Sequence, residues 1–291
     1  MFKGSITALI TPFKNGKVDE QAFQSLVDWQ IKEGTDALVP TGTTGESPTL
    51  THEEHNRVVA LCVEAAKGRV PVIAGAGSNS TEEAIALTRH AKQAGAAATL
   101  QVVPYYNKPT QEGMYRHFKA IHDAVELPIV IYNIPGRVAV DMSVDTMARL
   151  AKLPNIVGVK DSTGDIVRPL RTRLAIGERF CQLTGEDANT VAFLAMGGNG
   201  AISVTANVAP ALCAKLHDAW AARDLDTVYA IRDRLGPLND ALFCETNPAP
   251  VKYAASLLGK CGEEIRLPLA PIAEASRQKV QAAMRSAGLI N

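Results

Sequence analysis

Short apolar runs alternate with longer amphipathic stretches up to residue 203. The runs lie at residues 5–10, 36–39, 70–74, 97–103, 128–132, 156–160, 180–183 and 200–203. Stretches with apolar residues at helical spacing separate them, at residues 20–32, 52–67, 81–93, 111–125, 144–151, 165–175 and 189–196. Apolar runs of this length predict buried strands, and the amphipathic stretches between them predict helices.

Strands that alternate with single helices predict βαβ units and a parallel sheet. Three of the strands end at Val103, Tyr132 and Lys160, which are spaced by about one β-α unit each. Eight such units can close into a (β/α)8 barrel, the fold that we predict, with a doubly wound open sheet as the alternative. In a barrel, the active site lies at the carboxyl ends of the strands.

The strand pattern stops after residue 203. Four further helices are predicted, at residues 209–220, 225–242, 248–258 and 271–287. The first of them would close the barrel. We therefore predict a barrel domain at residues 1–224 and a C-terminal helical extension at residues 225–291.

Charge and composition narrow the possible partners. The 30 basic residues balance the 30 acidic ones, so no electrostatic footprint for a nucleic acid or an anionic membrane is expected. The apolar stretch at residues 6–10 is too short for a signal peptide, and no stretch is long enough to span a bilayer. The five cysteines are widely spaced without a C-x-x-C pair, which predicts reduced thiols and a cytoplasmic protein.

Lys160 is the first candidate for chemistry, because it ends the apolar strand at residues 156–160. A lysine in a barrel mouth loses hydration, which favours its neutral amine. A neutral amine can attack a carbonyl carbon to form an imine. The alternative is a strand-end lysine that reaches solvent or pairs with Asp161.

Other predicted strand ends carry groups that can bind a carboxylate or a phosphate, or that can transfer protons. The loop at residues 41–47 (TGTTGES) supplies hydroxyl and N–H groups from Thr43 and Thr44, or is a simple turn before the next helix. Tyr132 and Tyr106 offer phenols for proton transfer, or serve packing. Arg137 suits bidentate capture of a carboxylate, or forms a surface ion pair.

A metal site is not predicted. His52 and His55 are three residues apart rather than the four of the H-E-x-x-H motif, and no third ligand follows nearby. The remaining four histidines lie in helical stretches and are expected to be surface or packing residues.

Five ordered segments together resemble the dihydrodipicolinate synthase family, also called the 4-hydroxy-tetrahydrodipicolinate synthases. They are residues 42–47 (GTTGES), 104–109 (PYYNKP), 132–137 (YNIPGR), 157–161 (VGVKD) and 200–204 (GAISV). The resemblance runs essentially from end to end. It implies a (β/α)8 lyase without a metal or organic cofactor, which condenses pyruvate with L-aspartate 4-semialdehyde on the diaminopimelate route to lysine.

The resemblance also implies catalytic roles. Lys160 is similar to the lysine that captures pyruvate as a Schiff base. Tyr132, Thr43 and Tyr106 are similar to a proton relay, in which Tyr106 comes from the neighbouring subunit of a homotetramer built as a dimer of dimers. The imine nitrogen would act as an electron sink, so that a methyl proton leaves and the resulting enamine attacks the aldehyde.

Binding roles are implied for four more residues. Thr44 is similar to a binder of the pyruvate carboxylate, and Arg137 to the arginine that receives the carboxylate of the semialdehyde. Gly185 and Ile202 would line the pocket with backbone groups.

Six positions match residues that bind the feedback inhibitor L-lysine at a subunit interface in some family members. A carboxylate among several hydrogen-bonding groups suits a zwitterion with an ammonium side chain. An ordinary polar subunit interface is the alternative. The positions are Ser47, His52, His55, Asn79, Glu83 and Tyr105.

Two other functions stay open on the residues alone. A related pyruvate-dependent aldolase, such as N-acetylneuraminate lyase or a keto-deoxy sugar acid aldolase, would share the lysine and the tyrosine. Arg137 and the second threonine of the Thr43-Thr44 pair favour a small carboxylated aldehyde over a sugar. A non-enzymatic ligand-binding protein on an inherited barrel is the second alternative, because a fold does not fix a function.

Overall fold

The computed structural model describes residues 2–291, which form two compact units. The central unit contains Val72–Ile202 together with Phe2 and Lys3, and the terminal unit contains Gly4–Pro71 and Ser203–Asn291. The boundary predicted between residues 224 and 225 falls within the terminal unit and stays a prediction.

The terminal unit begins with a parallel strand pair. Its first elements are β1 (Gly4–Ala8), β2 (Phe13–Lys14), β3 (Lys17–Val18), α1 (Glu20–Lys32), β4 (Ala37–Val39) and α2 (His52–Ala66). Strand β1 pairs with β4 in parallel, with Ile6 opposite Ala37. Helix α2 begins with a capping box, in which the Thr51 side chain accepts the Glu54 N–H and the Glu54 side chain accepts the Thr51 N–H.

Strands β2 and β3 form an antiparallel hairpin that the apolar pattern did not predict. Asn15 and Gly16 form its turn at φ values of 54° and 78°. Asn-Gly is the preferred pair for a two-residue turn with positive φ at both positions. The signal was therefore present in the sequence, but the two strands are too short to show alternation.

The central unit contains six parallel strands that pair in chain order, and only Ser203, the last residue of the sixth strand, belongs to the terminal unit. Its elements are β5 (Ile73–Gly75), α3 (Thr81–Ala94), β6 (Ala98–Val102), α4 (Gln111–Ala124), β7 (Ile129–Asn133), α5 (Pro135–Val138), α6 (Val144–Leu150), β8 (Ile156–Asp161), α7 (Arg168–Ile176), β9 (Cys181–Thr184), α8 (Thr190–Ala195) and β10 (Gly200–Ser203). The strands are almost wholly buried, as expected for parallel strands covered on both faces. The predicted strands and helices are confirmed, apart from the unpredicted short helix α5.

The C-terminal part of the terminal unit is helical. It contains α9 (Pro210–Ala221), α10 (Leu225–Ala241), α11 (Ala249–Leu257) and α12 (Glu274–Ser286), which confirms the four predicted helices. Helix α11 is nearly all apolar and buried, yet it includes the buried Lys252. A buried charge in such a helix requires a partner.

Candidate active site

Lys160 lies in strand β8 of the central unit, and its side chain is buried. The residue is 6% exposed, and its Nζ lies 4.2 Å from the centroid of the Tyr132 ring. Tyr132 is the register partner of Lys160 in strand β7. Parallel pairing therefore brings the two residues together, although 28 positions separate them in the chain.

Gly185 follows strand β9 and lies against the Lys160 side chain. A Cβ atom at Gly185 would lie 2.7 Å from Lys160 Cε and would also collide with Ser162. The Gly185 N–H donates to the Asp161 carbonyl at 2.8 Å. A larger residue at this position would therefore force the side chains of Lys160 and Ser162 to shift.

Glu186 adds a carboxyl group close to Lys160. Burial raises the pKa of Glu186, while a hydrogen bond from Ser162 and the charge of Lys160 act in the opposite direction. The carboxylate is therefore less favoured than in water, and the Lys160 charge partly compensates for this.

Asp161 and Arg168 form a buried ion pair next to Lys160. Arg168 Nε lies 3.0 Å from Asp161 Oδ2, and the Thr163 hydroxyl donates to Asp161 Oδ1 at 2.6 Å. Burial raises the pKa of Asp161, although the Thr163 hydrogen bonds and the Arg168 charge lower it in part. Asp161 therefore interacts with Arg168 and Thr163. The alternative prediction, an ion pair between Lys160 and Asp161, is not seen in the structure.

The same arginine holds the loop that carries Arg137. Arg168 Nη1 lies 3.2 Å from Asp141 Oδ2, and Asn133 Nδ2 donates to Asp141 Oδ1 at 2.7 Å. The Met142 N–H donates to Asn133 Oδ1 at 3.1 Å. Residues 133 and 141–142 are thus fixed on either side of helix α5, on which Arg137 is exposed.

Tyr106 is prominently exposed in the central unit. It is 89% exposed and has a φ of 69°, in the left-handed region. The neighbouring Tyr105 carbonyl accepts a hydrogen bond from Asn79 Nδ2 at 3.2 Å, and Asn107 Nδ2 donates to the Asn79 carbonyl at 2.9 Å. These bonds fix a turn that directs a large aromatic side chain into solvent.

The terminal unit carries Thr43 and Thr44 on a tight loop after strand β4. Thr44 is buried, and its hydroxyl accepts a hydrogen bond from Asn247 Nδ2 at 3.0 Å. The Glu46 N–H donates to the Thr43 carbonyl at 3.1 Å. A Cβ atom at Gly45 would lie 3.0 Å from the Thr41 nitrogen, so the close approach of the backbone explains that glycine.

The remaining predicted positions are divided between the two units. Ile202 is buried in strand β10 of the central unit. For the predicted lysine site, the central unit brings Asn79 to Tyr105 through the bond above and holds Glu83 by a short hydrogen bond from Ser78. In the terminal unit, Ser47 begins a 3-10 helix, and His52 and His55 lie in the first turn of α2.

Within residues 2–291, no group of three or more His, Cys, Asp or Glu side chains is arranged to hold a metal ion. No helix in that part of the chain has both the length and the apolar character to cross a bilayer.

The sequence pattern does not indicate several contacts of these loops. Arg168 lies in a predicted helix, and Asp141 and Asn133 carry no recognisable motif. The sequence does contain one signal for Lys252, because it is the single charged residue in the apolar stretch of residues 249–255 (APVKYAA). A lone charge in such a run indicates a buried, paired group.

The chain is similar over its whole length to proteins of a known family. The model of the dihydrodipicolinate synthetase family matches residues 1–287. The 4-hydroxy-tetrahydrodipicolinate synthase of Rhodospirillum centenum is 71% identical over 290 residues, which cover 100% of each chain.

Solved structures show the same similarity. The chloride-inhibited dihydrodipicolinate synthase from Acinetobacter baumannii, complexed with pyruvate, is 46% identical, with a TM-score of 0.97 over 100% of each chain. The enzyme from Cyanidioschyzon merolae with lysine bound is 41% identical, with a TM-score of 0.95 over 99% of each chain. This agreement confirms the predicted fold class, a (β/α)8 barrel with C-terminal helices, over the doubly wound sheet.

Proposed function

The chain belongs to the dihydrodipicolinate synthetase family, and from this membership we propose that it is a 4-hydroxy-tetrahydrodipicolinate synthase. It is a lyase of the class I aldolase type, which condenses pyruvate with L-aspartate 4-semialdehyde in diaminopimelate and lysine biosynthesis. One observation of the structure supports the chemistry above all others. The Lys160 amine is buried at a strand end, against the ring of Tyr132.

Lys160 is the proposed Schiff-base residue. Its neutral amine attacks the keto carbon of pyruvate, and water leaves as the C=N bond forms. The imine nitrogen then accepts electron density as a methyl proton is lost, which gives an enamine. The enamine carbon attacks the aldehyde carbon, and the amine of the second substrate finally displaces the lysine nitrogen as the ring closes.

Proton transfer is assigned to three hydroxyl groups. Tyr132, whose ring contacts Lys160 Nζ, would exchange protons with Thr43, and Tyr106 of a neighbouring subunit would complete the relay. The exposure of Tyr106 supports this assignment, because a side chain that is 89% exposed is available to a second subunit. Its positive φ also supports it, since such backbone conformations cluster at functional sites.

Two side chains are assigned to the carboxylates of the two substrates. Thr44 would hold the pyruvate carboxylate, and Arg137 would hold that of the semialdehyde through a bidentate pair. The backbone of Gly185 and Ile202 would line the pocket. The firm attachment of the loop on both sides of Arg137 supports its role, because a pre-organised guanidinium loses less freedom on binding.

Assembly, regulation and location complete the proposal. The exposed apolar residues Ile166, Leu170 and Leu174, in and beside helix α7, support a homotetramer, because they could be covered by another subunit.

L-lysine is the proposed inhibitor at the six polar positions, since a family member was solved with lysine bound. Five free cysteines suit the reducing cytoplasm.

A turnover assay with pyruvate and L-aspartate 4-semialdehyde tests this function. The purified protein should form product at the expense of both substrates, and L-lysine in the same assay should slow it. N-acetylneuraminate is the comparison substrate. Cleavage of the sugar acid without turnover of the semialdehyde would assign the protein to the related aldolases instead.

Borohydride trapping tests the mechanism. Pyruvate with borohydride should add a reduced imine to the peptide that contains Lys160, and Lys160→Ala should take no label while staying folded. Labelling of a different lysine would move the Schiff base away from strand β8. Stabilisation by pyruvate with neither label nor turnover would indicate a ligand-binding protein.

A further inference from the structure

A buried ion pair joins helix α11 to the loop that carries Thr43 and Thr44. Lys252 Nζ donates to Glu46 Oε1 at 2.6 Å, and both side chains are 1% exposed. The other carboxylate oxygen, Glu46 Oε2, accepts the Arg266 N–H at 3.1 Å. Glu46 is thus held from two segments that lie 206 and 220 residues away in the sequence.

Stability alone is a poor explanation for this pair. The cost of removing two charges from water can exceed their attraction, and apolar residues of similar volume often replace such a pair without loss. Lys252 Nζ also lies 4.2 Å from the centre of the Phe13 ring, and Arg266 lies over the same ring at 4.3 Å. A charged pair in this position therefore calls for a role in geometry rather than in stability.

The loop that Glu46 ends is held in a disfavoured conformation. Thr41 and Glu46, on either side of the two threonines, have φ values of 54° and 57°. Non-glycine residues are rare in this left-handed region and persist where the surroundings fix them. The Thr11 hydroxyl, which donates to the Gly45 carbonyl at 2.7 Å, fixes the loop from a second side.

The hydroxyl of Thr44 is also held by the C-terminal part of the chain. Asn247 Nδ2 donates to Thr44 Oγ1 at 3.0 Å. Asn247 precedes helix α11, and Lys252 lies within it. The segment that contains Asn247 and Lys252 therefore contacts both Thr44 and the carboxylate of Glu46.

We propose that Lys252 and Glu46 form a positioning pair that fixes the Thr43–Thr44 loop in the shape that catalysis requires. The inference rests on the proposed function, in which Thr43 relays protons and Thr44 holds the pyruvate carboxylate. Neither member of the pair touches a substrate. Lys252 acts through Glu46, and Glu46 acts through the backbone turn that directs both hydroxyl groups.

The test compares variants at a temperature well below the melting point of each. Lys252→Met should raise the KM for pyruvate and lower kcat, with kcat/KM reduced about tenfold or more, because a misplacement of ~1 Å can cost a factor on the order of 100. Met284→Ala is the matched control, since it opens a cavity in the buried side of α12 in the same unit. It should lower the melting temperature and leave both kinetic constants near those of the wild type.

The double variant Lys252→Met/Glu46→Gln distinguishes an effect on the position of the Thr43–Thr44 loop from an effect on the stability of the protein. It removes both buried charges, so its melting temperature should recover relative to that of Lys252→Met. Its kcat/KM should stay low, because the bond between helix α11 and the loop is absent. If Lys252→Met does not fold, the double variant is compared directly with the wild type.

Two results would overturn the inference. One is wild-type kinetics in a folded variant that lacks Lys252, whatever its melting temperature. The other is recovery of both kinetics and stability in the double variant, which would show that the pair matters only as buried charge. Failure of the wild type to turn over would instead refute the proposed function, and this inference with it.

Discussion

Arg137 illustrates how a single exposed residue depends on its buried neighbours. Arg137 is an exposed residue on a four-residue helix, and Arg168 and Asn133 hold Asp141 and Met142 beyond that helix. Arg168 and Asn133 are buried, whereas the side chain of Asp141 is 48% exposed. The position of Arg137 is therefore set by residues that do not resemble a binding site in the sequence.

Arg137→Ala should separate the two halves of the reaction. Imine formation with pyruvate should persist, whereas kcat/KM for the semialdehyde should fall about 10- to 100-fold, as expected for the loss of about 1.5–3 kcal/mol from hydrogen bonds to a charged group. Borohydride labelling and turnover, measured on the same sample, check this. Arg137→Lys should recover part of the loss, because it keeps the charge without the planar fork. Equal loss of labelling and turnover would remove the assigned role.

At the scale of elements, the backbone that follows strand β9 lies against the side chains of Lys160 and Ser162. The Asp161 carbonyl accepts the Gly185 N–H, and Leu183 is the register partner of Lys160. The backbone after β9 therefore forms one wall of the space around the amine. A methyl group there has to displace the lysine side chain.

Gly185→Ala should accordingly reduce imine formation strongly. The added Cβ would lie 2.7 Å from Lys160 Cε, so we expect labelling by pyruvate and borohydride to fall by a factor on the order of 100. Gly136→Ala is the matched control, because a Cβ there meets nothing within 4 Å. Labelling of Gly185→Ala at the wild-type rate would contradict the steric explanation.

Two helices bury histidines that make the fold sensitive to acid. Burial lowers the pKa of His117 in α4 and of His217 in α9 to about 4, from an ordinary value of 6.5. The unfolded chain therefore binds these protons first as the pH falls. Stability present above about pH 6.5 should be lost progressively as the pH falls towards 4.

His217→Leu should weaken this dependence. The loss assigned to one such histidine is on the order of 3 kcal/mol at pH 4, so the free energy of unfolding of the variant should fall less steeply between pH 6.5 and 4. Chemical unfolding at several pH values measures it, and His117→Leu should act additively. An unchanged slope in both variants would mean that other groups control acid unfolding.

At the scale of the whole molecule, two large and exposed side chains bear on assembly. Tyr106 and Leu174 are 89% and 78% exposed, and large apolar side chains in such positions often mark contacts with other chains. Both lie in the central unit. A relay completed by Tyr106 of another subunit would make activity depend on that contact.

Leu174→Glu should therefore weaken assembly. A buried, unpaired carboxylate would oppose the contact, so sedimentation velocity should show smaller species than for the wild type. Leu225→Glu, which changes an exposed leucine at the start of α10, should leave the assembly unchanged. A wild type that sediments as a monomer at all concentrations would refute the homotetramer.

Much of the fold could be predicted because burial repeats with a regular period. Helix α1 begins and ends where the apolar pattern predicted, and strand β8 ends at Asp161, one residue after the predicted end at Lys160. The hairpin of β2 and β3 and the four-residue helix α5 are too short to show a period. Their existence depends on local turn chemistry at Asn15-Gly16 and Pro135.

The sequence by itself determined the order of the elements, the family and the residue types available for chemistry, because these depend on local patterns and matching segments. The tertiary structure decided which residues meet. Pairing of strands β7 and β8 placed Tyr132 against Lys160, and the packing of α11 brought Lys252 to Glu46. Such contacts join residues far apart in the chain, and their geometry depends on how buried surfaces and hydrogen bonds are satisfied together, which no local pattern records.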